Sequence, residues 1–467
     1  VNAVLIGVIG LLLAGMLVIG WAASRNQTTA ADFMIGGRRF GLFISTATQI
    51  AATFGGGVML AQVGIGYRWG FAVMVYSSIA APLGVFLLAR YFARWLRSQD
   101  FYTTTDWMCQ QYGESRLLRG LTSTVVSLYA VAAAVAQPIA AGKILSVTTG
   151  LPFELCLILA AVVVIIYTTA GGIIAVAYAD VAQMAVMVLL IVGLLPLAII
   201  KAGGLSEIFA AVPPQNLTLF APGDHVLLGW FLAVLPATMV KQTYHLRIFG
   251  AKNEQIAARG LYNLALAGCF IGVWAALMGM SIYAINPGLE DPEHATVWIV
   301  QNLLPPWLMI LVLGAMVAAI AAAADSALHS FSSSFTRDIY QVLWNPNATD
   351  RQLRRVSQIS VVAVGLVGIV IAIAVPVVLD ALLLGYSLTA AGLFFPLIVG
   401  RFWKQATQAG AIAGIVAGVS VTVLFHIVGA FGDHVPAVAG GLAASLIALV
   451  VVSKFHPGTK VPVLQRS

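Results

Sequence analysis

Long apolar runs separated by short polar stretches recur along the whole chain. They fall near residues 3–23, 41–65, 69–93, 119–147, 152–170, 173–200, 226–248, 257–285, 306–336, 354–375, 378–400, 407–428 and 435–453. As α-helices rising 1.5 Å per residue, runs of this length cross about 30 Å of hydrocarbon. The pattern predicts an all-α integral membrane protein with about 13 transmembrane helices. The longest polar stretches, 94–118, 201–225, 286–305 and 337–353, are too short to bury a core of their own. Residues 1–467 therefore read as one transmembrane domain.

Composition agrees with lipid as the main solvent. The chain is 60% hydrophobic and 9% charged, against roughly 45–50% and about 25% in ordinary soluble chains. Polar residues are too few to cover a water-soluble fold of this length, whereas a bilayer accepts helices that are apolar on every face. The first run, Val1 to Ala23, carries no basic leader and no small-residue cleavage site, which predicts a retained span rather than a signal peptide.

The net charge of +7 would suit a nucleic-acid partner, but its placement argues for a membrane. With the N-terminus outside, 20 of the 24 Lys and Arg residues fall on the cytoplasmic side. Arg68 and Lys201 fall outside, Lys143 and Lys241 fall within spans, and the outer stretch 286–305 holds Glu290, Asp291 and Glu293 without a basic residue. This is the positive-inside distribution of a bacterial-type inner membrane protein with a cytoplasmic C-terminus. Cys109, Cys156 and Cys269 lie far apart, without metal-ligand spacing.

Two runs are interrupted where a helix should continue. Ala52-Thr53-Phe54 is followed by Gly55, Gly56 and Gly57 in the second run, and Pro236 falls in the seventh. Glycine costs about 1 kcal/mol relative to alanine within a helix, so such breaks mark either close packing through small residues or a site where freed backbone lines a cavity. Their separation by five spans suits an inverted five-helix repeat, which puts broken helices at corresponding positions.

Three stretches carry a resemblance: Ile50 to Gly57; Tyr167-Thr168-Thr169-Ala170-Gly171-Gly172 with Ala175 to Gln183; and Ala324-Asp325-Ser326 leading to Ser332 through Tyr340. In order and spacing they are similar to the sodium/solute symporter family. Within it the chain resembles the high-affinity choline transporter branch, including a loop like Asn345 to Asp350. The resemblance implies a leucine-transporter-like fold with inverted repeats at about 41–200 and 226–400, extra helices at 3–23, 407–428 and 435–453, and alternating access around a midplane site.

It also implies ion positions. One sodium site would take carbonyls of Ala51, Phe54 and Ala319 with two hydroxyl side chains, but those positions here are Ala322 and Ala323. Sodium is a hard cation that needs oxygen ligands, and a methyl group offers none, so the expected site is degenerate. A second cation or proton site would use Asp180, Asp325 and Ser326. Two carboxylates in one cavity favour a shared proton in place of a metal ion. The structural alternative makes Asp180 a helix cap and leaves Asp325 bonded to neighbouring hydroxyls.

Lys241 stands where sugar-type relatives carry Asn and choline-type relatives an aromatic. A buried ammonium repels a quaternary ammonium and attracts a carboxylate; it could also replace a coupling cation, or snorkel to the interface. Phe54, Gln62, Tyr76, Ser77, Tyr129, Gln137 and Gln242 are the other candidates for lining the same cavity. Of the aligned choline-box positions, only Phe54 is kept.

The expectation is a secondary active importer of a small polar solute, leaning toward a carboxylate-bearing one. Na+ or H+ is the candidate coupling ion, and no other cofactor or nucleic-acid partner is indicated. A sodium-coupled choline-like transporter, or a sensor or channel on the same scaffold, is the alternative. No Gly-rich phosphate loop indicates a pump, and no His-Glu-x-x-His string indicates an intramembrane protease.

Overall fold

A computed structural model describes residues 29–428 and 435–456, with five isolated positions between 7 and 18. Every named element in it is helical. Among the described residues eight helices are long and apolar enough to cross a membrane, or up to eleven when each bent pair counts as one span.

The expected count of 13 is therefore not reproduced in full. The run at 3–23 lies outside the described residues. The run at 69–93 yields the shorter apolar helix Val75–Tyr91. The runs at 152–170 and 173–200 form one helical stretch, Phe153–Lys201, whose segments Phe153–Thr169 and Gly172–Ala185 meet at 116°. Gly172 makes this bend with φ of 55° and ψ of −171°, a backbone state that side chains with a Cβ avoid. The polar stretches also hold short helices, among them Thr104–Tyr112 and Ala295–Leu303.

In chain order the elements that build the centre are α1 (Leu42–Thr53), α2 (Gly57–Ala72), α3 (Val75–Tyr91), α4 (Thr104–Tyr112), α5 (Arg116–Thr149), α6 (Phe153–Lys201), α7 (Asp224–Val240), α8 (Gln242–Gly250), α9 (Glu254–Ile285), α10 (Pro306–Ser334), α11 (Asp350–Ala374) and α12 (Val378–Phe402). Gln408–Val428 and Ala437–Phe455 pack on each other and on α12. Large apolar side chains such as Leu266, Phe270, Ile359 and Val370 remain exposed along α9 and α11. A soluble protein rarely leaves so many uncovered, and lipid is their natural cover.

Small residues set the crossing of α2 with α9. A Cβ added at Gly279 of α9 would lie 2.2 Å from the Tyr67 nitrogen of α2, and one at Gly66 would lie 2.4 Å from the Ala275 carbonyl oxygen. The two backbones touch with no side chains between them, the packing that small residues allow in membranes.

Two clusters of ion pairs tie the bundle away from its centre. At one, Lys143 of α5 donates to Asp291 at 2.8 Å and to Glu293 at 2.5 Å. Glu293 also accepts from the backbone nitrogens of Val378 and Leu379 at the start of α12. Burial pushes the Asp291 carboxyl up, but the Lys143 ammonium and the Glu293 N–H outweigh it and hold the group below its ordinary range. At the other, buried Arg119 bridges Asp106, Glu114 and Asp338.

If the charge pattern sets the orientation, the Lys143 cluster is extracytoplasmic and the segment 340–353 is cytoplasmic. Glu290→Cys in intact cells should then react with an impermeant maleimide while Asn347→Cys does not, in a background lacking Cys109, Cys156 and Cys269. Equal labelling of both would overturn the orientation.

Candidate functional site

The first break falls in the glycine run. α1 ends at Thr53, Phe54 leaves the helix at φ of −85° and ψ of 45°, and α2 departs at 55° to α1. Gly56 N donates to Gln137 Oε1 at 2.9 Å, so a side chain of α5 satisfies a backbone donor at the start of the outgoing helix. The contact needs glycine: a Cβ on Gly55 would lie 2.5 Å from the same oxygen, and one on Gly56 would lie 2.2 Å from the Ala140 Cβ.

The second break is five residues later than the sequence suggests. The helix runs through Pro236 to Val240, and the Thr238 hydroxyl bonds the Leu235 carbonyl just before the proline. The chain becomes extended at Lys241, with φ of −69° and ψ of 118°, and restarts at Gln242. Pro236 lacks the N–H that would bond the Leu232 carbonyl, and the helix nevertheless continues four residues beyond it.

Between the two breaks lies a cavity of about 60 Å³, lined by Ala52, Thr53, Gly57, Val58, Gln62, Tyr76, Ser77, Ala81, Pro82, Val85, Tyr129, Gln137, Lys241, Tyr244, Leu264, Gly268, Ile271, Ala323, Leu382 and Tyr386. Room for one water takes about 10–15 Å³ on this measure, so the space suits a few waters or a very small solute. Gln62 and Tyr76-Ser77 come from wide, π-helical turns at Gly57–Gln62 and Val75–Ala80, a distortion that recurs at functional sites. Ser77 Oγ and Gln62 Oε1 are buried without a hydrogen-bond partner among the described residues.

Six sequence candidates thus share this wall: Gln62, Tyr76, Ser77, Tyr129, Gln137 and Lys241. Two do not. Gln242 turns away, and its Oε1 accepts from the Thr104 nitrogen and hydroxyl at 2.7 and 2.6 Å. The extended backbone at Lys241 sends neighbouring side chains to opposite sides. Phe54 forms the C-cap of α1 and is absent from the lining. Tyr244, Tyr386 and Thr53 were not among the candidates; Tyr244 lies three residues after Lys241, one helical turn along α8.

Lys241 is 4% exposed. Its Nζ lies 4.5 Å from the ring centre of Tyr129, 4.6 Å from Tyr244 and 5.6 Å from Tyr386. No carboxylate pairs with it among the described residues. Snorkelling, one of the readings open in the sequence, does not describe this ring-bound amine. Lys143, by contrast, is held by the Asp291 and Glu293 pairs.

At the position that the resemblance implies for sodium, Ala51, Ala319, Ala322 and Ala323 are all buried. A Cβ on Gly55 would lie 2.4 Å from the Ala323 Cβ, so a methyl group closes on the break where the resemblance calls for a hydroxyl.

The second position is bridged by a residue that the charge pattern had placed at the cytoplasmic face. Arg247, 2% exposed, donates to Thr48 Oγ1 at 3.0 Å, to the Thr243 carbonyl at 3.0 Å and to Ser326 Oγ at 2.7 Å, and reaches Asp180 Oδ2 at 3.4 Å. Thr48 also bonds Asp180, which lies inside the helical segment Gly172–Ala185 and does not cap it. Ser326 donates to Asp325, and Tyr167 bonds the other oxygen of that carboxyl. Asp180, Asp325 and Ser326 are thus brought together with a guanidinium beside the first. No basic side chain pairs with Asp325 among the described residues. No group of three or more His, Cys, Asp or Glu among them could hold a metal ion.

The sodium:solute symporter family model matches residues 33–418. The osmoregulated proline transporter OpuE of Bacillus subtilis is 25% identical over 95% of this chain and 93% of its own length. The sodium/proline symporter of Escherichia coli is 24% identical over 90% and 87%. The human high affinity choline transporter 1 is 29% identical over 89% of this chain and 75% of its own. Among solved structures, a Na+-coupled sialic acid symporter in a substrate-bound outward-open state has a TM-score of 0.82 at 20% identity, covering 98% of this chain and 99% of that one. Mhp1, a nucleobase-cation-symport-1 family transporter in a closed conformation, has a TM-score of 0.62 at 14% identity, over 94% and 97%.

Proposed function

The chain belongs to the sodium:solute symporter family, and from that premise we propose that it is a secondary active importer of a small carboxylate-bearing solute. One observation carries the substrate class: the Lys241 ammonium lies on the central cavity, and no Asp or Glu lines that cavity with it. An ammonium at bilayer depth costs roughly 2.5–3.5 kcal/mol on insertion scales. Three cation–π contacts of about 0.5–2 kcal/mol each offset much or all of this. A carboxylate about 4 Å away would add about 4 kcal/mol of attraction at an effective dielectric of 20.

Relatives named for proline carry a substrate with such a carboxylate. The relative named for choline does not. A choline-like cation would meet Lys241 as a like charge.

Alternating access follows from two broken helices facing one cavity. Residues 41–200 and 226–400 serve as the inverted repeats, since each begins with a span interrupted near its middle, at Phe54 and at Lys241. Coupling is expected to depend weakly on sodium, because Ala322 and Ala323 supply no side-chain oxygen and a methyl group abuts the break. Asp325 is the carboxyl left to carry a proton or receive a cation.

Proteoliposome uptake of a labelled solute panel under imposed sodium, proton or purely electrical gradients tests the proposal. Ala322→Ser with Ala323→Ser should strengthen apparent sodium affinity about tenfold by restoring two oxygens near Phe54. Strong sodium stimulation of the unaltered protein at fixed membrane potential would sink the coupling argument. Uptake of only cationic solutes would sink the carboxylate reading.

A further inference from the structure

Three tyrosines from separate helices converge on one amine. Tyr129 belongs to α5, Tyr244 to α8 and Tyr386 to α12, and all three ring centres lie within 5.6 Å of Lys241 Nζ. The Tyr129 and Tyr386 rings are 4.9 Å apart, and Tyr76 meets Tyr386 edge-on at 6.3 Å. Aromatic faces gathered at these distances form a receptor for an ammonium head group. Here the head group is already present and covalently attached.

A second observation points the same way. The buried acids of α6 and α10 are turned elsewhere, Asp180 to Arg247 and Thr48, and Asp325 to Tyr167 and Ser326. A solute bringing its own ammonium would meet no carboxylate in the cavity and would compete with Lys241 for the ring faces. A carboxylate would meet Lys241 and the buried, unpartnered Ser77 hydroxyl as a donor.

We infer that Lys241 is the tethered occupant of a three-tyrosine ammonium box, and that the solute is in consequence a small monocarboxylate anion without an amino group. The inference rests on the reading of Lys241 as the partner of a carboxylate. It divides monocarboxylates from zwitterions such as proline, which that reading alone does not. In an α-amino acid the ammonium nitrogen lies two bonds from the carboxylate carbon and cancels much of the attraction that Lys241 offers.

The test is equilibrium binding and thermal stabilisation of the purified full-length protein with acetate, propionate, pyruvate, proline and tetramethylammonium. At least one of the three monocarboxylates should bind the unaltered protein, with proline and tetramethylammonium at least tenfold weaker. Lys241→Met keeps the stem and empties the box, so it should gain tetramethylammonium binding by tenfold or more, and Tyr386→Leu added to it should remove the gain. If Lys241→Met does not purify as a monodisperse protein, Lys241→Gln is read in the same way.

No gain of tetramethylammonium in either variant overturns the box. Proline binding to the unaltered protein as tightly as the best monocarboxylate overturns the net-anion assignment. If the monocarboxylates bind the unaltered protein and the Lys241 variants equally, the carboxylate reading falls while a gain of tetramethylammonium still upholds the box.

Discussion

Replacing Lys241 with Gln is expected to lower uptake of the native solute by about a hundredfold or more and to leave the protein folded. Among the described residues the amine is the only charge lining the central cavity, and the proposed substrate carboxylate would be its partner. Truncating one side of a buried, hydrogen-bonded charge pair costs roughly 2–5 kcal/mol, or about 30-fold to several thousandfold in affinity. Folding is spared because no ion pair of Lys241 is broken and a buried charge is removed. Lys241→Arg should rescue poorly: the planar guanidinium needs more room than three rings 4.5–5.6 Å away leave it. Initial uptake rates in proteoliposomes, with size-exclusion profiles alongside, decide the matter. Normal uptake by Lys241→Gln would leave the amine without a role in recognition.

Arg247→Met should behave in the opposite way, damaging the fold first. The guanidinium is buried and bonds partners on α1, α8 and α10 while facing Asp180 of α6. Its loss leaves Asp180 as an unpaired buried charge with Thr48 as its remaining partner. Removing one member of a buried pair costs about 3–5 kcal/mol, expected as a fall of on the order of 5 °C or more in melting temperature and reduced yield. Asp180→Asn added to Arg247→Met should recover part of the loss, since no orphaned charge then remains. Thermal unfolding in detergent is the measurement, and an unchanged melting temperature for Arg247→Met would contradict the pairing.

The contrast between these two basic residues shows what was legible in the sequence. Lys241 drew notice because it interrupts an apolar run, where an ammonium is costly wherever it points. Arg247, six residues on, was counted with the cytoplasmic charges because it falls at the edge of the same run. Sequence distance from an apolar boundary does not report burial when the chain unwinds and restarts, as it does at Lys241.

The same unwinding explains Gln242, which lies next to the cavity in sequence and faces Thr104 in space. The glycine break was readable, because three consecutive glycines are unusual in a helix. Pro236 misled by five residues, since proline marks strain without fixing where the strain is released. Tyr244 and Tyr386 went unmarked for a plainer reason. A tyrosine within an apolar run looks like any packed core residue until partners from other helices are seen.

The crossing of α2 with α9 bears on how the cavity can open. Helices that move past one another by shear slide on interlocking side chains that repack in small steps. At Gly66 and Gly279 no such layer exists, because backbone lies on backbone. α2 and α9 are therefore expected to move together as a single lever. The nearest joint is the unwound pair Phe54 and Gly55, so if the cavity opens alternately to the two sides of the membrane, the angle between α1 and α2, 55° in this structure, is the coordinate expected to change.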